Sequence, residues 1–344
     1  MFINEGDAGD EYTFCPPLEQ VVVTNKSVDA NIWIEQSETY SCLNIRFTMK
    51  VPEVSDRDKR AEKYVDLTVE ERIYLYPKVP RIDLDINVDN RAKNHRLRIA
   101  FPTGLEVKYS YSDTHYYVIK RPTTPPKGEG WHESPPLDHQ LLHWVDISDG
   151  RKGVMVATRD LHEYSVDANG TLYITLLRCV DSVGKSDLLT RSGEFNLSIP
   201  TPDAQCIGKF NFQLSIIPHK GDWKKENVFR EALNFAIPLL ACITDKHKGE
   251  LPHKGGLLTI EPNDVIVTSV KKAEKDEAIV LRYYNASEDV IDSRIKLNLL
   301  KGRIKEAFKA KLSEENIQKV QIRDNEKLTL KCNPWEITTV KLYK

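Results

Sequence analysis

The residues best placed for chemistry lie near the start of the chain. Asn4-Glu5-Gly6-Asp7-Ala8-Gly9-Asp10-Glu11-Tyr12 sets four carboxylates and two glycines ahead of a Cys15-Pro16-Pro17 turn. Such a loop could present oxygen ligands. Two plainer arrangements use the same residues: a loosely held terminus, or a glycine-bent loop whose carboxylates cap backbone amides. Elsewhere the search for reactive groups is mostly negative. The chain has no G-x-S-x-G elbow, no H-E-x-x-H and no Walker loop, and Gly128-Glu129-Gly130 lacks the third glycine of a dinucleotide fingerprint. His132, His139 and His143 fall in the proline-rich stretch WHESPPLDHQLLHW, whose spacing matches no common zinc pattern, so they read as loop-lining residues. Trp131 and Trp144 fit either a core or a sugar platform. His115, His143 and Glu163 could be drafted as acid and base of a sandwich-fold isomerase or lyase.

The elements that must position these residues are mainly strands. Ile82, Leu84, Ile86 and Val88 alternate with Arg81, Asp83, Asp85 and Asn87, the period of a half-buried strand. Val65, Leu67 and Val69 repeat the beat, as do Leu97, Ile99 and Phe101, and then Phe210, Phe212, Leu214 and Ile216. Asp222 to Ala236 breaks it with Val228, Ala232 and Ala236 at helical spacing, Asp222 as the expected N-cap and Pro238 as the stop. The polar stretch Thr244 to Gly256 reads as a boundary, which predicts domains over 1–245 and 246–344. In the second, strands are expected near Val265–Val270, Ile279–Tyr284, Leu328–Cys332 and Ile337–Leu342. Lys301 to Leu312 fits a helix or a strand.

Composition narrows the function. The 344 residues carry 49 Lys plus Arg against 51 Asp plus Glu, a balance that builds no one-signed field for nucleic acid or an anionic membrane. Asp56 to Lys63 mixes both signs, as a solvated hairpin loop would. The opening residues have no secretory-signal pattern, and no stretch is apolar enough for a transmembrane helix. The six cysteines form no C-x-x-C, so reduced, mostly buried thiols and a cytoplasmic location are expected. Sequons begin at Asn25, Asn169, Asn196 and Asn285 and decide little.

Several stretches in order resemble the carboxyl-terminal half of glycoside hydrolase family 38, the α-mannosidases, particularly the bacterial, mannosylglycerate-hydrolase-like type. They are NEGDAGDEYTFCPP (4–17), RIYLYPKVPRIDLDINVDN (72–90), WVDISDGRKGVMVATRDLHEYSV (144–166), TLLRCVDSVGKSDLLTR (175–191), PTPDAQCIGKFNFQLSIIPHKGDW (200–223), VTSVKKAEKDEAIVLRYYN (267–285) and PWEITTVKL (334–342). The resemblance implies a large antiparallel super-sandwich, galactose-mutarotase-like, followed by a smaller β-sandwich, with few short helices.

It also implies a parent that hydrolyses α-mannosides with retention, using one carboxylate as nucleophile and another as acid/base about 5–5.5 Å apart. Those carboxylates, and zinc or another divalent metal with its H-x-D ligands, belong to an amino-terminal domain. H-x-D is absent here, so no catalytic residue, metal or cofactor is expected in this chain. What remains for it is scaffold, domain interface and the edge of the cleft. The candidates are Arg191 first, then Tyr12, Asp7, Asp10 and Gln205. The implied partners are that catalytic domain and an α-mannoside or mannosylglycerate-like substrate, with neither nucleic acid nor membrane; a homo-oligomer is compatible. The competing reading is a stand-alone carbohydrate-binding or structural β-sandwich protein.

Overall fold

The computed structural model describes residues 1–344 apart from 187, 196, 225, 226, 247, 250 and 251, so the sequon at Asn196 lies outside the described residues. The chain forms two compact units. One comprises Met1–Thr114 and Ile119–Pro238; the other comprises Leu239–Lys344 with His115–Val118.

The strands run in chain order as β1 (Phe2–Gly6), β2 (Val23–Thr24), β3 (Ala30–Gln36), β4 (Ser41–Pro52), β5 (Tyr64–Leu75), β6 (Ile82–Asn90), β7 (His95–Pro102) and β8 (Tyr109–Thr114). They continue as β9 (Tyr117–Pro122), β10 (His139–Gln140), β11 (Trp144–Ser148), β12 (Lys152–Arg159), β13 (Glu163–Val166), β14 (Thr171–Cys179) and β15 (Gly208–Lys220). A six-stranded sheet has the order β10-β13-β14-β7-β1-β2, and a nine-stranded sheet the order β3-β4-β5-β6-β15-β12-β11-β8-β9. The pairings of the smaller sheet, and those of the larger from β3 through to β8, are antiparallel.

The alternation read from the sequence is what joins the two sheets. Leu67, Val69, Ile86 and Val88 of the larger sheet and Phe2, Leu97, Ile99 and Leu172 of the smaller share one core, and each such side chain removed from water contributes about 1.5–3 kcal/mol. Polar partners such as Asp83, Asp85 and Asn87 take the opposite face by pleat geometry. The main irregularity is a bulge in β14 between Thr175 and Leu177. Before it Leu172 and Ile174 point inward. After it the parity changes, so Cys179 points inward and Arg178 pairs opposite Arg96.

Helix α1 (Val228–Ala236) is shorter than the sequence predicts. Its N-cap is Asn227, in a left-handed conformation with φ 52°, and not Asp222. The Asp222 carboxylate instead accepts the Lys224 N–H at 3.1 Å, closing a turn that competes with earlier helix entry. Pro238 does stop the helix, leaving Ile237 non-helical at φ −114°. Arg159 of β12 donates to the carbonyl of Phe235 at 2.6 and 2.8 Å, satisfying an end group of the helix.

The second unit holds β16 (Thr259–Glu261), β17 (Val265–Lys272), β18 (Ile279–Asn285), β19 (Ile291–Lys296), β20 (Glu306–Ala310), β21 (Asn316–Val320), β22 (Lys327–Cys332) and β23 (Ile337–Tyr343). Sheets ordered β16-β19-β22 and β17-β18-β23-β20-β21 enclose Leu281, Tyr283, Ile295, Leu328, Val340 and Leu342. The contested segment resolves as strand: β20 bonds to β23 on one side and β21 on the other, while Leu312, which a helix would have turned inward with Ile304, is exposed. Two-sided ladder bonding and burial of Ala307 and Ala310 outweigh a weak helical preference.

Candidate functional site

β1 delivers the acidic loop to the edge of the six-stranded sheet, and the loop is neither loose nor open. Asp7 is buried; one carboxylate oxygen accepts N–H groups from Gly9 (2.8 Å) and Cys15 (3.2 Å), and the other accepts Arg178 Nε at 3.0 Å. Asp10 is buried too. One of its oxygens takes the N–H groups of Tyr12 (3.0 Å) and Thr13 (2.9 Å), and the other takes Lys185 N–H (2.9 Å) and Arg191 Nη2. Gly9 has no alternative: a Cβ there would stand 2.0 Å from the Thr13 carbonyl oxygen. The carboxylates therefore cap backbone amides, and each also meets one guanidinium.

Both arginines are spent within the loop. Arg178 also donates to the carbonyls of Glu11 (3.2 Å) and Asp10, and Arg191 to Thr13 Oγ1 (2.7 Å) and the Lys185 carbonyl (3.0 Å). The Arg191 guanidinium lies over the Phe195 ring, 4.6 Å from its centroid, and Tyr12 meets the same ring edge-on at 5.7 Å. Tyr12 is the outward-facing member, 65% exposed. Gln205 sits one link further in: it exchanges side-chain and backbone hydrogen bonds with Asn94 at 2.6 and 2.8 Å, and the Asn94 carbonyl accepts Asp7 N–H at 2.9 Å. All five candidates thus belong to one connected network.

The electrostatics separate the two aspartates. Burial raises the Asp7 carboxyl above its ordinary value against the pull of Arg178. Burial pushes Asp10 the same way, but Arg191 and the amides of Lys185, Thr13 and Tyr12 outweigh it and hold that carboxyl below the usual range. Behind them His95 is wholly buried. Asn4 Oδ1 accepts from Arg60, so its amide nitrogen faces His95 Nδ1 at 2.7 Å; Nδ1 is then the acceptor, and Nε2 donates to Asn90 Oδ1 at 3.0 Å. Burial and the Arg60 charge lower this imidazole to about 3, which keeps it neutral.

Beside the loop a cleft of about 460 Å³ opens, bounded by Phe14, Arg96, Arg98, Asp138, Glu163 and Tyr173. Arg96 donates to Glu5 (3.2 Å) and Asp138 (2.7 Å) beneath the Phe14 ring, 3.5 Å from its centroid. Arg98 pairs with Glu5 at 2.9 Å and lies 4.5 Å from the Tyr173 centroid. This wall is polar, aromatic and internally charge-paired, suited to hydrogen-bonding hydroxyl groups and to orienting a carboxylate brought from elsewhere. Among the described residues no three His, Cys, Asp or Glu side chains come together as a metal site.

The sequence did not single out Arg96, Arg98, Arg178 or Asp138, and pointed to Glu5 only as one of the four carboxylates of the opening loop. A signal existed for two: Arg96 and Arg98 alternate with Leu97 and Ile99, which assigns them to the face opposite the core. The remaining sequence candidates scatter. Trp144 is core, packed on Trp223 at 5.4 Å, and Trp131 is exposed. His143 Nδ1 bonds Asp113 at 2.7 Å, on the nine-stranded side, while His139 starts the edge strand β10 near Tyr164. His115 is in the second unit, and Glu163 accepts from Thr175 at 2.6 Å. Within the first unit, His143 and Glu163 have separate partners, Asp113 and Thr175.

Residues 1–181 match the model of the glycosyl hydrolases family 38 C-terminal domain, and residues 264–340 that of the family 38 C-terminal beta sandwich domain. The chain belongs to family 38, as part of its C-terminal region. A Halalkalibacterium halodurans protein named as a proposed mannosylglycerate hydrolase is 28% identical over 96% of this chain and 38% of its own length. Alpha-mannosidase 2C1 of Mus musculus is 23% identical over 72% of this chain and 22% of its own. In fold, an alpha-mannosidase from Enterococcus faecalis V583 superposes with a TM-score of 0.84 at 24% identity, over the whole of this chain and 38% of that one. The chain therefore spans well under half the length of these family 38 relatives. The mainly β, antiparallel sandwich expected of the family is what the structure has.

Proposed function

We propose that this chain serves as scaffold, domain interface and cleft edge of a retaining, metal-dependent α-mannoside hydrolase, with a mannosylglycerate-like or other α-mannosidic substrate. Family 38 membership supports the hydrolase class, and the relatives' names suggest the sugar. In this reading the nucleophile, the acid/base and a divalent metal that would hold sugar hydroxyls belong to a further domain, and no step of the reaction is assigned to the side chains described here.

The observation that carries a role for this chain is the Asp7–Asp10 loop. Two buried carboxylates and two arginines fix its backbone while leaving the Tyr12 phenol exposed, an arrangement that presents one polar group rigidly at a surface. Arg191 acts here as a positioning residue for Tyr12 and for the rim of the arginine-lined cleft. In the intact enzyme, Tyr12→Phe should lower kcat/KM for a chromogenic α-mannoside about tenfold, equivalent to ~1.4 kcal/mol, with the melting temperature unchanged. Unaltered kcat/KM in both Tyr12→Phe and Tyr12→Ala would remove the loop from the cleft. The isolated chain with added zinc should show no turnover; metal-dependent turnover by it would overturn the division of labour.

A further inference from the structure

The outer face of the nine-stranded sheet takes no part in the loop or cleft just described. The strand register sets Trp33 of β3, Asn44 of β4, Arg72 of β5, Asp85 of β6 and Gln213 of β15 in one row across that face. The neighbouring row carries Arg46, Glu70, Asn87 and Asn211, which with Asp89 and Lys209 line a cleft of about 490 Å³. Its charged groups balance, with Arg46 and Lys209 against Glu70 and Asp89. At the edge Trp33 is 45% exposed, its indole N–H donating to Glu35 at 3.2 Å. Tyr40, Tyr74 and Tyr76 cluster nearby, with Tyr74 and Tyr76 stacked 6.0 Å apart.

One residue in this setting is chemically unfinished. Asn44 is 1% exposed, and neither its amide nitrogen nor its amide oxygen has a hydrogen-bond partner. A buried amide left so costs about 1–3 kcal/mol per group, and the remedy must supply a donor and an acceptor together. Hydroxyl groups do both. The surroundings favour hydroxyls carried on a ring: an exposed indole beside half-buried phenols to take C–H groups, amide and carboxylate side chains in rows, and a charge balance that attracts neither anion nor cation.

We propose that this face, around Trp33, Asn44 and Arg72 and the adjoining cleft at Glu70 and Asn211, is a binding site for a neutral saccharide. The site is on the sheet opposite the arginine-lined cleft, and its existence does not require the catalytic reading above. A ligand reaches Asn44 by displacing the exposed Arg72 side chain, which adjoins it in the row.

The test is a titration of the whole chain with methyl α-mannoside and with an α-linked mannotriose, followed by the Trp indole N–H resonances in a heteronuclear NMR spectrum. Saturable, millimolar binding is expected, with the Trp33 signal among those that shift. Trp33→Ala should weaken it at least about tenfold, whereas Trp131→Ala, which removes an exposed indole on a separate loop, should leave it unchanged. Asn44→Leu keeps the burial, removes the unpartnered amide, and should hold or raise the melting temperature while weakening binding. If neither sugar produces saturable shifts, if the shifts survive Trp33→Ala, or if Asn44→Leu binds like the wild type because a water molecule alone satisfies the amide, the proposal is wrong. Loss of turnover in Tyr12 variants of the intact enzyme would be independent of all three outcomes.

Discussion

The two outer faces of the large sandwich are built on the same strand alternation and end in opposite conditions. On the six-stranded sheet the outward charges are buried again, under a loop that returns over them: Arg96, Arg178, Asp7 and Asp10 are largely or wholly hidden, and each is matched to named partners. On the nine-stranded sheet, over β3 to β5, the outward charges stay in water. Arg46 meets Glu70 at 3.3 Å with both side chains about half exposed, while the hidden residue among them, Asn44, is uncharged and unmatched. A charge can be taken from water only where geometry supplies its complement, so the covered face is rigid and specific and the open face is adaptable.

That contrast is sharpest in Asp10. Asp10→Ala strands the Arg191 guanidinium and three backbone N–H groups, and should cost about 3–5 kcal/mol, read as a lower denaturant midpoint at pH 7. A loss below about 1 kcal/mol would show the loop to be as loosely determined as the open face. Acid should expose the same asymmetry. His95 titrates near 6.5 when unfolded and about 3 when folded, so between those values the unfolded chain binds the extra proton. Stability should then fall as pH drops through this window, by up to about 1.4 kcal/mol per pH unit, and His95→Gln should flatten that slope.

Asp10, whose folded carboxyl is held low, adds stability that is present above the ordinary carboxylate range and lost as pH falls through its folded value. In Asp10→Asn that limb of the melting-temperature profile should disappear. A smaller effect is expected at Phe14, whose ring covers Arg96: Phe14→Leu retains most of the apolar cover and should cost about 1–2 kcal/mol through the lost cation–π contact. Smallest of all, Arg46→Ala on the open face should change thermal stability by less than about 1 kcal/mol, and that little should vanish in high salt. A large change there would erase the distinction between the faces.

Much of this was legible in the chain itself. The alternations at 82–88, 97–101 and 210–216 identify strands and their buried sides, because a pleat offers each residue only two directions. The glycines and carboxylates of the opening segment mark a capping loop, one of the arrangements the residues allowed. The start of α1 and the state of Lys301–Leu312 were not legible: Asp222 satisfies a turn amide before any helix forms, and β20 is decided by partners on both sides that are distant in sequence.

The sequence by itself determined which side chains seek the core and which stay polar, together with the ordered blocks that mark family 38, since these depend on local pattern. Only the tertiary structure decided what the polar ones meet. Arg178 would face the core if β14 kept its rhythm; a bulge turns it outward to Asp7, 171 residues away. Asp10 finds Arg191 across 181 residues, and Asn44 finds no partner. A hydrogen bond is satisfied by position in space, and chain spacing does not encode it until the sheets have closed.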